Sequence, residues 1–162
     1  MPERTKKVTI PFERHNNLII IPITINRFLT LKFILDTGVE TPILTEKIFA
    51  DILDFTYTGE IDISGPGLAD SIEALVANGV NLSLPGRIFG ENMNMLVLKE
   101  NYLELAENIG ENVHGSIGND ICSRFVVEIN HDDSILTLHD PERFIKSKRE
   151  VAIPLEIRGS KP

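Results

Sequence analysis

Short runs of β-branched and other apolar residues, separated by turn residues, occupy most of the first hundred positions of the chain. Runs of this length and spacing predict strands rather than helices. In chain order the predicted strands are 8–12, Leu18–Ile25, Leu29–Leu35, 55–64, 71–77, 80–84, 87–89 and 93–98. Because Pro22 has no backbone N–H to give to a strand ladder, we expect it at an edge or a bulge. The pattern indicates a mainly β domain.

Helical spacing is confined to short stretches. Thr45 is a suitable N-cap residue for one short helix. The apolar positions at helical spacing that follow it are Ile48, Phe49, Ile52 and Leu53. Residues 120–124 predict another short helix and 100–108 a weak one. A final hairpin is expected from 126–129 and 135–138, and 151–155 could add an edge strand.

The segments 55–64 and 71–77 are expected to pair as a hairpin. The tip that joins them contains Gly65, Pro66 and Gly67. Glycine and proline favour turns, and exposed tips of this composition are commonly mobile and functional. The sequence therefore predicts a projecting hairpin in the middle of the domain.

Composition and charge narrow the class of protein. The chain has 162 residues, of which 42% are hydrophobic and 25% charged, so it can bury a core as one domain and is not disordered. The formal net charge of −8 argues against nucleic acid as a partner, because affinity for polyanions depends on Lys and Arg. No apolar run approaches the roughly 20 residues of a membrane span. Residues 1–7 lack the apolar stretch of a secretory signal.

Cysteine and histidine give little indication of a metal or redox centre. The single cysteine, Cys122, excludes a disulfide within the chain. The four histidines are scattered, with no pair at the spacing of metal ligands on a helix: His15, His114, His131 and His139. We expect neither a metal nor a cofactor.

The tripeptide Asp36-Thr37-Gly38 carries the strongest chemical signal. It follows the apolar residues Phe33 to Leu35 without a linker, which places a carboxylate at the end of a buried strand. Unpaired carboxylates are costly to bury, so such a position suggests a function. The plainer alternative is that Asp36 caps its own turn and Gly38 supplies a positive φ.

The order of several motifs is more specific than the tripeptide. An apolar strand runs into Asp36-Thr37-Gly38, Ile43-Leu44 and a glycine-bearing hairpin follow, and Ile117-Gly118 precedes a short helix and a final hairpin. Over residues 10–141 this arrangement resembles the retropepsin-like aspartic peptidases. Residues 18–44 and 114–141 look like the exported bacterial aspartyl proteases that have a second lobe and often a PDZ domain. The resemblance suggests a periplasmic or exported protein.

That resemblance implies a fold and a set of roles. The fold would be a closed or partly open β-barrel with one or two short helices and a hairpin flap. Asp36 would be the catalytic aspartate, Thr37 would brace the partner lobe, and Gly38 would let the backbone approach the catalytic pair. Residues at substrate-binding positions would be Val39, Glu40, Gly65, Pro66, Gly67, Ile117 and Gly118.

Three residues depart from the family pattern. Val39 stands where alanine or serine is usual, Glu40 where aspartate or serine is common, and Asn119 where viral enzymes have arginine. These departures put the usual ion pairs between subunits in doubt.

Hydrolysis by this route needs two carboxylates around one water. The sequence has one Asp-Thr-Gly, and Asp70-Ser71 and Asp133-Ser134 are not followed by glycine. The second carboxylate would therefore come from a homodimer partner or from a second lobe. We expect residues 1–145 to form the lobe and 146–162 to be an edge strand or a connector to a second lobe.

The sequence thus predicts one lobe of an aspartic endopeptidase that binds extended peptides. A non-catalytic binding or assembly module with the same fold is the first alternative. A ligand-binding β-barrel of unrelated ancestry is the second, and it would leave Asp36 at the surface, away from any cleft or symmetry axis.

Overall fold

The chain forms a mainly β structure, as its pattern predicts. The computed structural model describes residues 7–64, 71–101, 112–148 and 151–155. The first strands are β1 (Lys7–Pro11), β2 (Glu13–His15), β3 (Leu18–Ile25), β4 (Leu29–Leu35) and β5 (Ile43–Leu44), followed by helix α1 (Lys47–Ile52). The remaining elements are β6 (Tyr57–Ile63), β7 (Ile72–Leu84), β8 (Ile88–Leu98), β9 (Gly115–Ile117), α2 (Asn119–Cys122), β10 (Val126–Asn130) and β11 (Ile135–His139).

The strands form two sheets. The larger has eight strands in the order β2-β3-β4-β9-β5-β8-β7-β6. An additional pairing of β3 with β7, at Thr24 with Ser83 and Ile25 with Leu82, turns this sheet back on itself as a partly open barrel. The smaller sheet has three strands in the order β1-β11-β10.

The core lies inside the curved sheet and extends onto the small sheet. Alternating positions of β3 and β4 point into it, and Ile21, Ile23 and Phe33 are fully buried. Leu136 and Leu138 of β11 join the same cluster. Burying each such side chain contributes about 1.5–3 kcal/mol, so this cluster is the main source of stability and a firm support for the end of β4.

Pro22 occupies a gap in the pairing of β3. On one side β3 pairs with β4 along its length, with Pro22 opposite Lys32. On the other side β2 pairs with Leu18 to Ile20, and β7 pairs with Thr24 and Ile25. Pro22 lies between these two pairings, so its missing N–H costs no ladder hydrogen bond.

Two long strands replace four of the predicted short ones. The predicted strands 71–77 and 80–84 are parts of β7, and 87–89 and 93–98 are parts of β8. The prediction was wrong because Gly79 and Asn92, both at positive φ, produce register shifts rather than chain reversals. The predicted hairpin partners do pair, from Tyr57 with Ala77 to Ile63 with Ile72. Its tip, with Gly65, Pro66 and Gly67, lies outside the described residues.

The helices differ from the prediction at their ends. Helix α1 begins at Lys47 with Glu46 at the N-cap position, and no side chain caps it. Thr45 is not the cap: it lies one residue before the N-cap position and is buried, and its backbone N–H donates to His114 O (2.9 Å). Ile48 and Ile52, expected on an apolar helical face, are 58% and 57% exposed.

The other predicted elements have mixed outcomes. Helix α2 begins one residue before the predicted 120–124 segment and ends at Cys122. The predicted helix at 100–108 falls mainly on 102–111, which lie outside the described residues. Residues 151–155 are exposed and form no strand. No helix in the described ranges is long and apolar enough to cross a bilayer.

Candidate active site

The Asp36 turn connects two strands that are separated by a third. Strands β4 and β5 both flank β9, parallel in the first case and antiparallel in the second. The chain that leaves β4 must therefore pass the end of β9 before it enters β5. Residues 36–42 make this crossing, and Asp36, Thr37 and Gly38 lie exposed at its start.

The Asp36 carboxylate is held by its own turn. The Gly38 N–H donates to Asp36 Oδ1 at 2.8 Å, and the Val39 N–H donates to Asp36 O at 3.1 Å. The self-capping turn of the plainer alternative is therefore present. The expected positive φ at Gly38 is wrong, because Gly38 is not among the described residues with positive φ. A Cβ at Gly38 would instead lie 3.2 Å from Asp36 Oδ1 and crowd the carboxylate.

Ile117 and Gly118 brace the same turn from below. The Asp36 N–H donates to Ile117 O at 2.9 Å, which extends the parallel pairing of Leu35 with Ile117. A Cβ at Gly118 would lie 1.7 Å from Asp36 O, so only glycine fits there. The Asn119 N–H donates to Val39 O at 2.9 Å. The fold thus brings together two motifs that lie far apart in the sequence.

Within the part of the chain that the structure describes, no hydrogen bond joins the Asp36 carboxylate to a second acid. There, Gly38 is the hydrogen-bond donor to the Asp36 side chain. Glu40 is also exposed, and Val39 is half-buried. No group of three or more His, Cys, Asp or Glu within the described ranges is arranged to hold a metal ion. The Asp36 carboxylate is therefore exposed and accepts a hydrogen bond from the backbone of its own turn.

Residues of α2 lie behind the turn and have perturbed acidities. Burial raises the pKa of Asp120 above its ordinary value, and Arg124, whose Nη2 is 3.7 Å from Asp120 Oδ1, acts in the opposite direction. Burial also raises the pKa of Cys122, so its thiol is less readily ionised than an exposed cysteine. Asp120 lies within the first turn of α2 rather than at its N-cap position, which Gly118 occupies.

A small apolar pocket lies between α2 and the β7–β8 hairpin. Its volume is about 430 Å³, part of which is open to solvent. Ile117, Ile121 and Phe125 line it, with Asp120 and Arg124 also contributing. Since both charges are present, the lining does not favour one kind of charged ligand over another.

A pair of side chains near Ile117 and Gly118 was not predicted from the sequence. His114 Nδ1 lies 2.7 Å from Glu46 Oε1, across 68 positions of sequence. The Phe49 ring packs edge-on against the imidazole, with ring centroids 4.8 Å apart. Local sequence holds no signal for this pair, because the two residues meet only when β5 and β9 lie side by side.

Comparisons with known proteins support the fold. No protein-family model matches the chain, and no curated protein sequence matches it. Among solved structures, a retropepsin-like aspartic protease from Rickettsia conorii is similar, with a TM-score of 0.53 and 16% identity over 83% of this chain and 90% of that one. At this identity the likeness establishes the fold alone. The chain has a retropepsin-like fold, and the comparison does not extend to the exported two-lobed type with a PDZ domain.

Proposed function

We propose that this chain is one lobe of an aspartic endopeptidase and that Asp36 supplies one of its two catalytic carboxylates. The observation that carries the proposal is the exposed Asp36 carboxylate on a turn braced by Ile117 and Gly118, within a retropepsin-like fold. An acid kept exposed on a rigid backbone is suited to meet a second group.

The chemistry requires two such groups around one water. One carboxylate, ionised, takes a proton from the water as its oxygen attacks the peptide carbonyl carbon. The other, protonated, donates its proton to the carbonyl oxygen. Collapse of the tetrahedral intermediate then breaks the C–N bond: the amine nitrogen takes the proton that the first carboxylate removed from the water, and a hydroxyl of the intermediate returns a proton to the second carboxylate. Two acids this close share one proton, which belongs to the pair.

The second carboxylate would come from a second copy of the chain or from a second lobe. A two-fold axis beside the turn would set Asp36 against its own counterpart, because such an interface brings the same patch of both subunits together. Thr37 and Gly38, next to Asp36, would then lie at the contact between lobes. We expect the isolated chain to dimerise weakly and to have little activity.

The substrate would be a peptide in extended conformation. Val39 and Glu40 follow the catalytic turn and would line the binding cleft with Ile117 and Gly118. The β6–β7 hairpin, with Gly65, Pro66 and Gly67 at its tip, would act as a flap that covers the peptide and excludes water. Glu40 is exposed and adds negative charge near this position.

The proposal is tested by peptidase assays on the longest natural form of the protein at mildly acidic pH. We expect cleavage of unstructured peptides that is blocked by a pepstatin-type inhibitor. Asp36→Asn should lower kcat by about a thousandfold or more, because a neutral amide cannot act as the base. Asp132→Asn, which neutralises an exposed acid in the β10–β11 turn, is the matched control and should leave kcat unchanged.

Turnover that survives Asp36→Asn would rule the proposal out. The alternative is a binding or assembly module with the same fold, and the departures from the family pattern at Val39 and Glu40 favour it. Such a module would bind extended peptides in calorimetry with no cleavage at any pH, whether or not Asp36 is replaced.

A further inference from the structure

We propose that the Glu46–His114 pair is a positioning element that fixes the backbone of the Asp36 turn. The expected effect of the pair on turnover rests on the proposed function. The expected effect on the order of the backbone does not depend on that function. Neither residue touches the reacting atoms in the proposed mechanism, so both are positioning residues rather than catalytic ones.

The pair is short and partly shielded from solvent. His114 Nδ1 and Glu46 Oε1 are 2.7 Å apart, and the two side chains are 18% and 29% exposed. A carboxylate oxygen accepts, which requires the imidazole to carry a proton on Nδ1 and to donate it. Hydrogen bonds with a charged partner are stronger than neutral ones, and partial burial protects them from solvent screening.

His114 is fixed through its backbone as well. Its N–H donates to Lys32 O in β4, and its carbonyl accepts from the Thr45 N–H, both at 2.9 Å. The Phe49 ring of α1 packs edge-on against the His114 imidazole. The residue before β9 is thus tied to β4 on one side and to the start of α1 on the other.

The position of His114 determines where the C-terminal end of β9 lies. Three residues of β9, Gly115 to Ile117, separate His114 from Gly118, and a strand of this length spans about 10 Å. At the far end, Ile117 O accepts the Asp36 N–H and Gly118 lies against Asp36 O. A shift of His114 along the strand direction would move both of these contacts.

The chain provides a matched control for this pair. His139 Nε2 lies 2.8 Å from Glu128 Oε2 on the three-stranded sheet. This second pair has the same two residue types at a similar distance, with the carboxylate more exposed, 61% against 29%. It joins β10 to β11 within the three-stranded sheet, so its loss tests the general effect of removing a His–Glu pair.

The experiment measures amide hydrogen exchange in the full chain and in the variants Glu46→Ala, Glu46→Gln and Glu128→Ala. Glu46→Ala should speed exchange of the Asp36 amide by about tenfold, the effect of losing one charged hydrogen bond. Glu46→Gln keeps an acceptor oxygen and should stay within about twofold of wild type. The Phe12 amide, which donates to Ser134 O away from β9, is the reference for a general loss of stability and should not change.

Unchanged exchange at Asp36 in Glu46→Ala would overturn the inference, as would an equal effect of Glu128→Ala or a parallel rise at Phe12. If the longest natural form cleaves peptides, Glu46→Ala should lower kcat about tenfold with little change in KM, and Glu46→Gln should restore it. If no form cleaves peptides but the exchange pattern holds, the proposed function fails and the positioning role stands.

Discussion

A Cβ at Gly118 would overlap the backbone of the Asp36 turn. Its nearest neighbours there are the Asp36 carbonyl oxygen at 1.7 Å and the Asp36 carbonyl carbon at 2.6 Å. Neither can move without moving the turn, since both are main-chain atoms. At Gly38, by contrast, the nearest atom belongs to a side chain, 3.2 Å away. The requirement for glycine is therefore stricter at position 118 than within the tripeptide itself.

Gly118→Ala should lower the free energy of unfolding by about 3 kcal/mol or more and should disturb the Asp36 turn. The physical reason is overlap with fixed backbone, which the structure can relieve only by separating β9 from β4. Urea denaturation followed by circular dichroism measures the loss, and amide chemical shifts of Asp36 and Gly38 report the displacement.

Gly59→Ala is the control for adding a methyl group to a glycine in a strand. Nothing lies within 4 Å of its added Cβ, so this variant should stay within about 1 kcal/mol of wild type. Equal stability of the two variants would show that Gly118 does not pack against Asp36 as described.

Helix α1 buries its smallest apolar residue and exposes two larger ones. Ala50 is fully buried against β8 and the core, whereas Ile48 and Ile52 face outward. A helix of six residues has less than two turns, so periodicity cannot define its buried face reliably. The anchoring of Thr45 and His114 sets the rotation of this helix instead.

Ala50→Leu should lower the free energy of unfolding by about 1–3 kcal/mol, because three extra carbons must enter a filled core. Ile48→Ala, which removes apolar atoms from an exposed position of the same helix, should change it by about 0.5 kcal/mol or less. Thermal or urea unfolding of both variants decides between this orientation and the one predicted from spacing. A large loss in Ile48→Ala alone would favour the predicted orientation.

At the scale of the whole molecule, the negative net charge of the chain opposes the proposed dimerisation. Two chains of net charge −8 repel each other, and a pair of facing Asp36 carboxylates adds a local repulsion at the axis. The repulsion between the two facing carboxylates depends on their separation more steeply than the repulsion between the net charges of the two chains does. A substitution at Asp36 can therefore separate the two contributions.

Asp36→Asn should tighten self-association at pH 7 by about tenfold if the two copies of this residue meet at a two-fold axis. Asp132→Asn removes the same single charge from an exposed turn and should have a much smaller effect. Sedimentation velocity over a range of concentrations measures both dissociation constants. Identical constants for the two variants would show that Asp36 does not face its own copy.

Much of the fold could be predicted from local pattern. Leu18–Ile25 and Leu29–Leu35 were predicted with their observed bounds, because alternation of apolar residues and a turn at Asn26 and Arg27 define them locally. Strands β2 and β9 escaped prediction because each has three residues, too few for a periodic signal. The long strands β7 and β8 were divided in the prediction because a register shift and a turn use the same residue types.

The candidate site divides in the same way. Asp36-Thr37-Gly38 and Ile117-Gly118 were selected from sequence, and the structure places them in contact, while their catalytic and binding roles stay predictions. The Glu46–His114 pair could not be found, since its members are remote in sequence and ordinary in their local setting. A contact made across a sheet does not depend on the residue spacing around either partner, so local sequence does not predict it.

The residues by themselves determined the class of structure and the location of the candidate acid, because strand periodicity and the run of apolar residues before Asp36 are local properties of the chain. The tertiary structure alone decided how that acid is held. Inserting β9 between β4 and β5 forces the turn against Gly118 and joins Glu46 to His114, and the free energy of such contacts depends on distances that exist only once the sheet has formed.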